Sequence, residues 1–154
     1  MLASINNSKR RFFVKSQSAL LANLNDPMSG LMSKIWVFLS LSYIYCDVLS
    51  NMESPVLRML LEGNIDGIPM TQGFLLLAGI SLQIPFVMVI LATILPYRAN
   101  KVTNITAAII MIIYQLVSFF MGSDITLHYI YFSAVVILGN IAITVLALRW
   151  KKVV

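Results

Sequence analysis

Asp47 is the one carboxylate set inside a long apolar segment of this chain. An ionisable group within hydrocarbon is costly and by default marks a pathway or a binding site. Helical spacing puts Tyr43 one turn before it, with Ser40 and Ser50 on the same stripe at steps of three, four and three. A carboxylate beside a phenol suits a cation or an amine. Asp47 would supply the countercharge and Tyr43 a cation–π face; binding would weaken as Asp47 takes up a proton, and Asp47→Asn would abolish it. Three amides extend the set: Gln83, Gln115 and Asn140, one in each of the later apolar segments. Together these five are the expected ligand-binding residues, lining a vestibule reached from outside, with Gln83 and Asn140 as its floor. Against this stands plain packing, since small and amide side chains are the ordinary adhesive of membrane helices.

Other chemistries find little support. Cys46 is the sole cysteine, which excludes an internal disulfide, a C-x-x-C pair and a cysteine-built zinc site. A single histidine, His128, cannot give bis-histidine haem ligation within one chain. The sequence offers no paired intramembrane carboxylates, no serine–histidine arrangement and no phosphate-cradling glycine loop. No catalytic residue, metal or cofactor is expected, and the balance is against an enzyme. His128 is expected at the membrane interface rather than as a ligand, with Tyr129 and Tyr131 beside it as belt residues.

The elements that must position these groups are four apolar stretches at about 31–50, 71–95, 102–121 and 127–148. Each is long enough, or nearly so, to cross a hydrocarbon core, which takes about 20 residues at about 1.5 Å each. The composition agrees: 59% hydrophobic and 11% charged, against about 45–50% and about 25% in soluble proteins. Ten of the 11 Lys and Arg fall on one side of such a bundle, and only Arg58 lies opposite. Glu53, Glu62, Asp66 and Asp124 are in the opposite loops. This is the positive-inside pattern of four spans with both termini in the cytoplasm. The net charge of +5 therefore faces lipid headgroups and carries no case for nucleic-acid binding.

The expected fold is all-α, a four-span antiparallel transmembrane helix bundle with a short extracytoplasmic helix between spans 1 and 2. Residues 1–30 form a basic cytoplasmic tail, 31–150 the four-helix transmembrane domain and 151–154 a cytoplasmic C-terminus. The tail run Lys9-Arg10-Arg11-Phe12-Phe13-Val14-Lys15 could lie on the membrane as an amphipathic segment. Trp36 is expected in an aromatic belt. In the short outer helix, Ser54 is the expected N-cap, Pro55 the first helical residue and Gly63 the stop. Its Leu and Met residues are expected to pack on the bundle or in the outer interface. Asn64 to Pro69 reads as a turn-rich linker and Pro96 to Asn100 as a tight turn, while Ser123 or Asp124 would cap the fourth span. Pro85 predicts a kink in the second span. Polar stripes run along all four spans: Ser40–Tyr43–Asp47–Ser50, Gln72–Gly79–Gln83, Asn104–Ala107–Met111–Gln115–Ser118–Gly122 and Ser133–Asn140–Thr144–Ala147. Because unpaired polar groups are costly in hydrocarbon, all four are expected to converge inside.

The segments Ile35-Trp36-Val37-Phe38, Tyr43-Ile44-Tyr45-Cys46-Asp47-Val48-Leu49-Ser50, Ile84-Pro85-Phe86-Val87-Met88 and Leu95-Pro96-Tyr97-Arg98-Ala99-Asn100 resemble an uncharacterised bacterial family of small four-helix integral membrane proteins. The resemblance covers about residues 31–150 and implies a bacterial inner-membrane location. It carries no activity across. The expected function is a non-enzymatic membrane protein that binds a small amphipathic molecule, a lipid or a protein partner through the bundle. The alternative is a small oligomeric transporter of cations or amines that uses Asp47. The lipid bilayer and a second copy of the chain are the other expected partners.

Overall fold

The computed structural model describes residues 14, 17, 21, 26–65, 67–120 and 126–151. Within them lie α1 (Pro27–Asn51), α2 (Ser54–Leu61), a two-residue pair of strands β1 (Asn64–Ile65) and β2 (Ile68–Pro69), α3 (Gln72–Ile94), α4 (Tyr97–Ser118) and α5 (Leu127–Arg149). The architecture is all-α apart from that small hairpin, and α1, α3, α4 and α5 are each long and apolar enough to cross a membrane.

Helix ends explain where the spans differ from expectation. The first begins at Pro27, four residues early, because Asp26 accepts the Met28 N–H at 2.9 Å and Pro27 supplies a fixed φ in the first turn. The segment Pro96 to Asn100 is not a turn. Only Leu95 and Pro96 turn the chain; Pro96 is the N-cap, and the Asn100 N–H already bonds to the Pro96 carbonyl at 2.8 Å. The helix runs through Pro85 without a break. Thr126 precedes α5 in the N-cap position, while Gly122, Ser123 and Asp124 lie outside the described residues, as does most of the basic tail.

The short helix between the first two spans exists, with its cap moved by one residue. Glu53 is the N-cap and makes no side-chain cap bond, Pro55 lies in the first turn, and Gly63 follows at φ +73, where a residue without a Cβ is at ease. None of its residues is buried within the chain, and Leu61 is 81% exposed. The linker after it is ordered as a hairpin: Asn64 pairs with Pro69 and Ile65 with Ile68, around Gly67 at φ +81.

Consecutive long helices pack as neighbours, α3 and α4 across the two-residue link Leu95–Pro96 and α1 and α3 across the longer segment that holds α2 and the hairpin. The most extensive contacts are α1 with α3 and α4 with α5; α1 with α5 joins these pairs, and α3 meets α4 more lightly. The core holds Met32, Trp36, Leu39, Met88, Ala108, Met111 and Ile143. Trp36 is fully buried, so it is a core residue and not a belt residue. Leu39 of α1 sits directly over Gly139 of α5. A Cβ built on Gly139 would stand 2.5 Å from Leu39 Cδ2, so the missing side chain gives Leu39 its seat on α5.

Candidate functional site

The α4 and α5 stripes turn inward as expected, the α1 stripe only at Ser40 and Tyr43, and the α3 stripe not at all. Ser40 and Tyr43 on α1, Asn104, Ala107, Met111 and Gln115 on α4, and Ser133, Asn140 and Ala147 on α5 are all buried. The α3 stripe faces outward: Gln72, Gly79 and Gln83 are exposed. The reason is angular. The buried side of α3 is Pro85, Met88 and Ala92. At about 100° per residue, Gln83 lies about 200° from Pro85, on the far side of the helix. Small and aliphatic residues set the inner face here, and the amides do not.

Tyr43 and Asn140 do meet across α1 and α5, with Asn140 Nδ2 donating to the Tyr43 hydroxyl at 3.4 Å and to the Val136 carbonyl at 2.7 Å. The Asn140 Oδ1 is buried without a partner. Gln115 belongs to a separate cluster nearer the hairpin end of the bundle. Its Nε2 donates to Ser133 Oγ at 2.8 Å, and Ser118 and Tyr129 complete the group. Tyr129 also packs edge-to-face on Phe119, so it points inward, whereas Tyr131 is 63% exposed and fits a belt position.

Asp47 is exposed on α1, one position past the buried Cys46. Arg58 is exposed and forms no ion pair with it among the described residues. Asp47, Tyr43, Gln83, Gln115 and Asn140 therefore do not surround one space. Tyr43 and Asn140 touch, Gln115 sits in its own cluster, and Asp47 and Gln83 lie outside.

His128 ties together the elements at the hairpin end of the bundle. One ring nitrogen lies 3.2 Å from Ser50 Oγ; the other lies 3.1 Å from Thr126 Oγ1 and 3.2 Å from Glu53 Oε1. These contacts fasten the α1–α2 junction to the start of α5. Among the described residues, no group of three or more His, Cys, Asp and Glu is placed to hold a metal ion.

The densest polar network lies at the opposite end and was not anticipated. Pro96 has no N–H, so the Ala92 carbonyl four residues earlier lacks its helical donor. Ser29 Oγ from α1 and Asn100 Nδ2 from α4 (2.6 Å) both donate to it. Asn104 donates to the Asn100 carbonyl at 2.9 Å and accepts from Trp36 Nε1 at 2.7 Å. Tyr97 donates to the Trp150 carbonyl at 2.7 Å, and Lys101 Nζ to the Leu148 carbonyl at 2.9 Å, closing the end of α5. The signal in the sequence is a proline four residues after a helical carbonyl, followed by asparagines at i and i+4. Every one of these side chains serves the fold.

What remains open is the outer side of α3. Two grooves flank it. One, of about 360 Å³, lies against α1 between Val37, Leu41 and Ile90. The other, of about 550 Å³, lies where α3 and α4 part, walled by Ile80, Leu91, Val102 and Ile110. Gln83 and Val87 line both. Apart from Gln83, the wider groove carries only the hydroxyls of Thr103 and Thr106.

A family model described as a family of unknown function, DUF6326, matches residues 21–154. No curated protein matches the chain, and neither does any solved structure.

Proposed function

The chain belongs to this family of unknown function, and we propose that it is a non-enzymatic multi-pass membrane protein that works by binding a partner along the outer side of α3. The observation that carries this reading is Gln83. Eleven helical residues lie on either side of it in α3, about 16 Å in each direction. In a hydrocarbon core about 30 Å thick, its amide stands at the middle. No hydrogen bond joins that amide to another group among the described residues. Lipid tails offer none, and an unpaired polar group there costs several kcal/mol. A partner with an apolar surface and one hydrogen-bonding group at that depth removes this cost.

The interior supports the same choice. Met32, Trp36, Leu39 and Met111 fill the space between the helices. The internal vestibule and the transporter reading built on Asp47 draw less support from such a bundle than the open side does.

A photoreactive side chain at Val102, on the wall of the wider groove, tests the reading in native membranes. Leu138 on α5, 65% exposed, is the control. The expected result is a discrete adduct from position 102 that Leu138 does not give, and that Gln83→Leu weakens. The same lipid-only product from both positions would remove the case for a partner on this face.

A further inference from the structure

We infer that the partner of the α3 face is a second copy of the chain, joined through Gln83 in a two-fold contact. This rests on the reading that the outer side of α3 is a binding face. The first argument is chemical. A glutamine amide presents two donors and a carbonyl acceptor. Within hydrocarbon, an identical amide at the same depth satisfies it reciprocally, each N–H meeting the other's carbonyl. Copies inserted in the same direction are related by an axis along the membrane normal, so residue 83 of one necessarily faces the membrane depth of residue 83 of the other. Few other occupants meet that depth requirement without a coincidence.

The second argument is shape. Gln83 and Val87 line both grooves, so they sit on a crest with a slot on either side. A two-fold contact is isologous, and the same patch must serve as both ridge and slot. The α3 surface has that form: the crest of each copy enters the groove of the other. Gly79, one turn from Gln83, is exposed, and nothing lies within 4 Å of where its Cβ would be. It leaves room for the crest of the second helix, as small residues do at close membrane crossings. The apolar walls, with Ile80 at 56% exposed and Ile90 at 61%, supply the packing around the central pair.

The third argument is contrast within the molecule. The buried amides Asn100, Asn104, Gln115 and Asn140 each bond to at least one other group in the chain. Gln83 faces outward, on the helix that contributes the smallest buried share of the four spans. The chain thus pairs its buried amides internally and, among the described residues, leaves Gln83 unpaired on the helix with the most surface left to cover.

The test uses the purified full chain in vesicles of phosphatidylethanolamine and phosphatidylglycerol, with association followed by energy transfer between labelled copies as lipid dilutes protein. The wild type should associate. Gln83→Leu should lower association about eightfold, since two reciprocal bonds at the usual membrane strength of about 0.6 kcal/mol each amount to about 1.2 kcal/mol. Gln83→Asn should restore part of it, and Gly79→Ile should block it, all with unchanged helix content. A photoreactive group at Ile80 in the same vesicles should yield a cross-linked dimer that Leu138 does not. A distinct lipid adduct at Ile80 with no energy transfer overturns the second-copy inference and leaves the binding face standing. Identical lipid products at Ile80 and Leu138, with no energy transfer, overturn both. Association that Gln83→Leu leaves unchanged overturns the role of the amide pair.

Discussion

The bond between Trp36 and Asn104 should be measurable as a coupling between α1 and α4. Both residues are fully buried, and the indole N–H donates to the amide oxygen at 2.7 Å. Asn104→Leu removes the acceptor and leaves that N–H orphaned, a loss of about 1–3 kcal/mol in a soluble core. In membranes such bonds average about 0.6 and reach about 1.7 kcal/mol, because the separated helices find other partners. Complete burial and a short distance place this one near the top, at about 1.5 kcal/mol. The single substitution costs more, since Asn104 also donates to Asn100. A cycle with Trp36→Phe cancels that extra loss. Unfolding in mixed micelles with increasing dodecyl sulfate, followed by helix circular dichroism, gives the four stabilities. Asn104→Leu should cost about 1.5 kcal/mol less on the Trp36→Phe background than on the wild type. A difference below about 0.3 kcal/mol, the level at which unconnected sites add, would show that the bond does not join the helices.

Three further outcomes are expected. Gly139→Ala should destabilise the bundle by about 1–3 kcal/mol, the usual cost of overpacking, because the new methyl would meet Leu39 inside the core; the same micelle titration reads this. Asp47→Asn should leave that stability within about 0.5 kcal/mol, since the carboxylate is exposed and makes no ion pair among the described residues. Cysteines placed at Arg10, Asn64, Ala99, Ile125 and Lys152 in a Cys46→Ser chain should label as inside, outside, inside, outside and inside. Labelling at Asn64 only after permeabilisation would overturn the two-sided charge argument.

The long helices were visible in the sequence because apolar runs of this length have few other fates, and the α2 stop was visible because Gly63 occupies a backbone angle that favours glycine. Helix starts were less clear. Asp26 and Pro27 cap α1 outside the apolar run, where hydropathy gives no signal. The rotation of each helix was legible only where polar residues happened to mark the inner side. On α4 and α5 they did. On α3 the inner side is marked by Pro85, Met88 and Ala92, so a rule that sends amides inward turns Gln83 the wrong way. Trp36 misled for a related reason: an indole suits an interface, yet Asn104 satisfies its N–H inside. That pairing depends on the relative height of two helices, which residue spacing in one helix cannot specify.

Helix α1 packs against both α3 and α5 and gives Ser29 and Ser33 to carbonyls of α3 and Trp36 to α4. It is also the first of the four to be synthesised and the least apolar, with mean hydropathy 1.3 against 2.4 for α3. During biogenesis it must therefore enter the bilayer before any of its acceptors exists. Ser29 and Ser33 gain theirs when α3 follows, Trp36 only when Asn104 arrives on α4, and the seat over Gly139 last of all. A nascent chain halted before α4 presents Trp36 unmatched in lipid, and one halted before α5 presents the Tyr43 hydroxyl without Asn140, so incompleteness is chemically exposed until the final helix is in place.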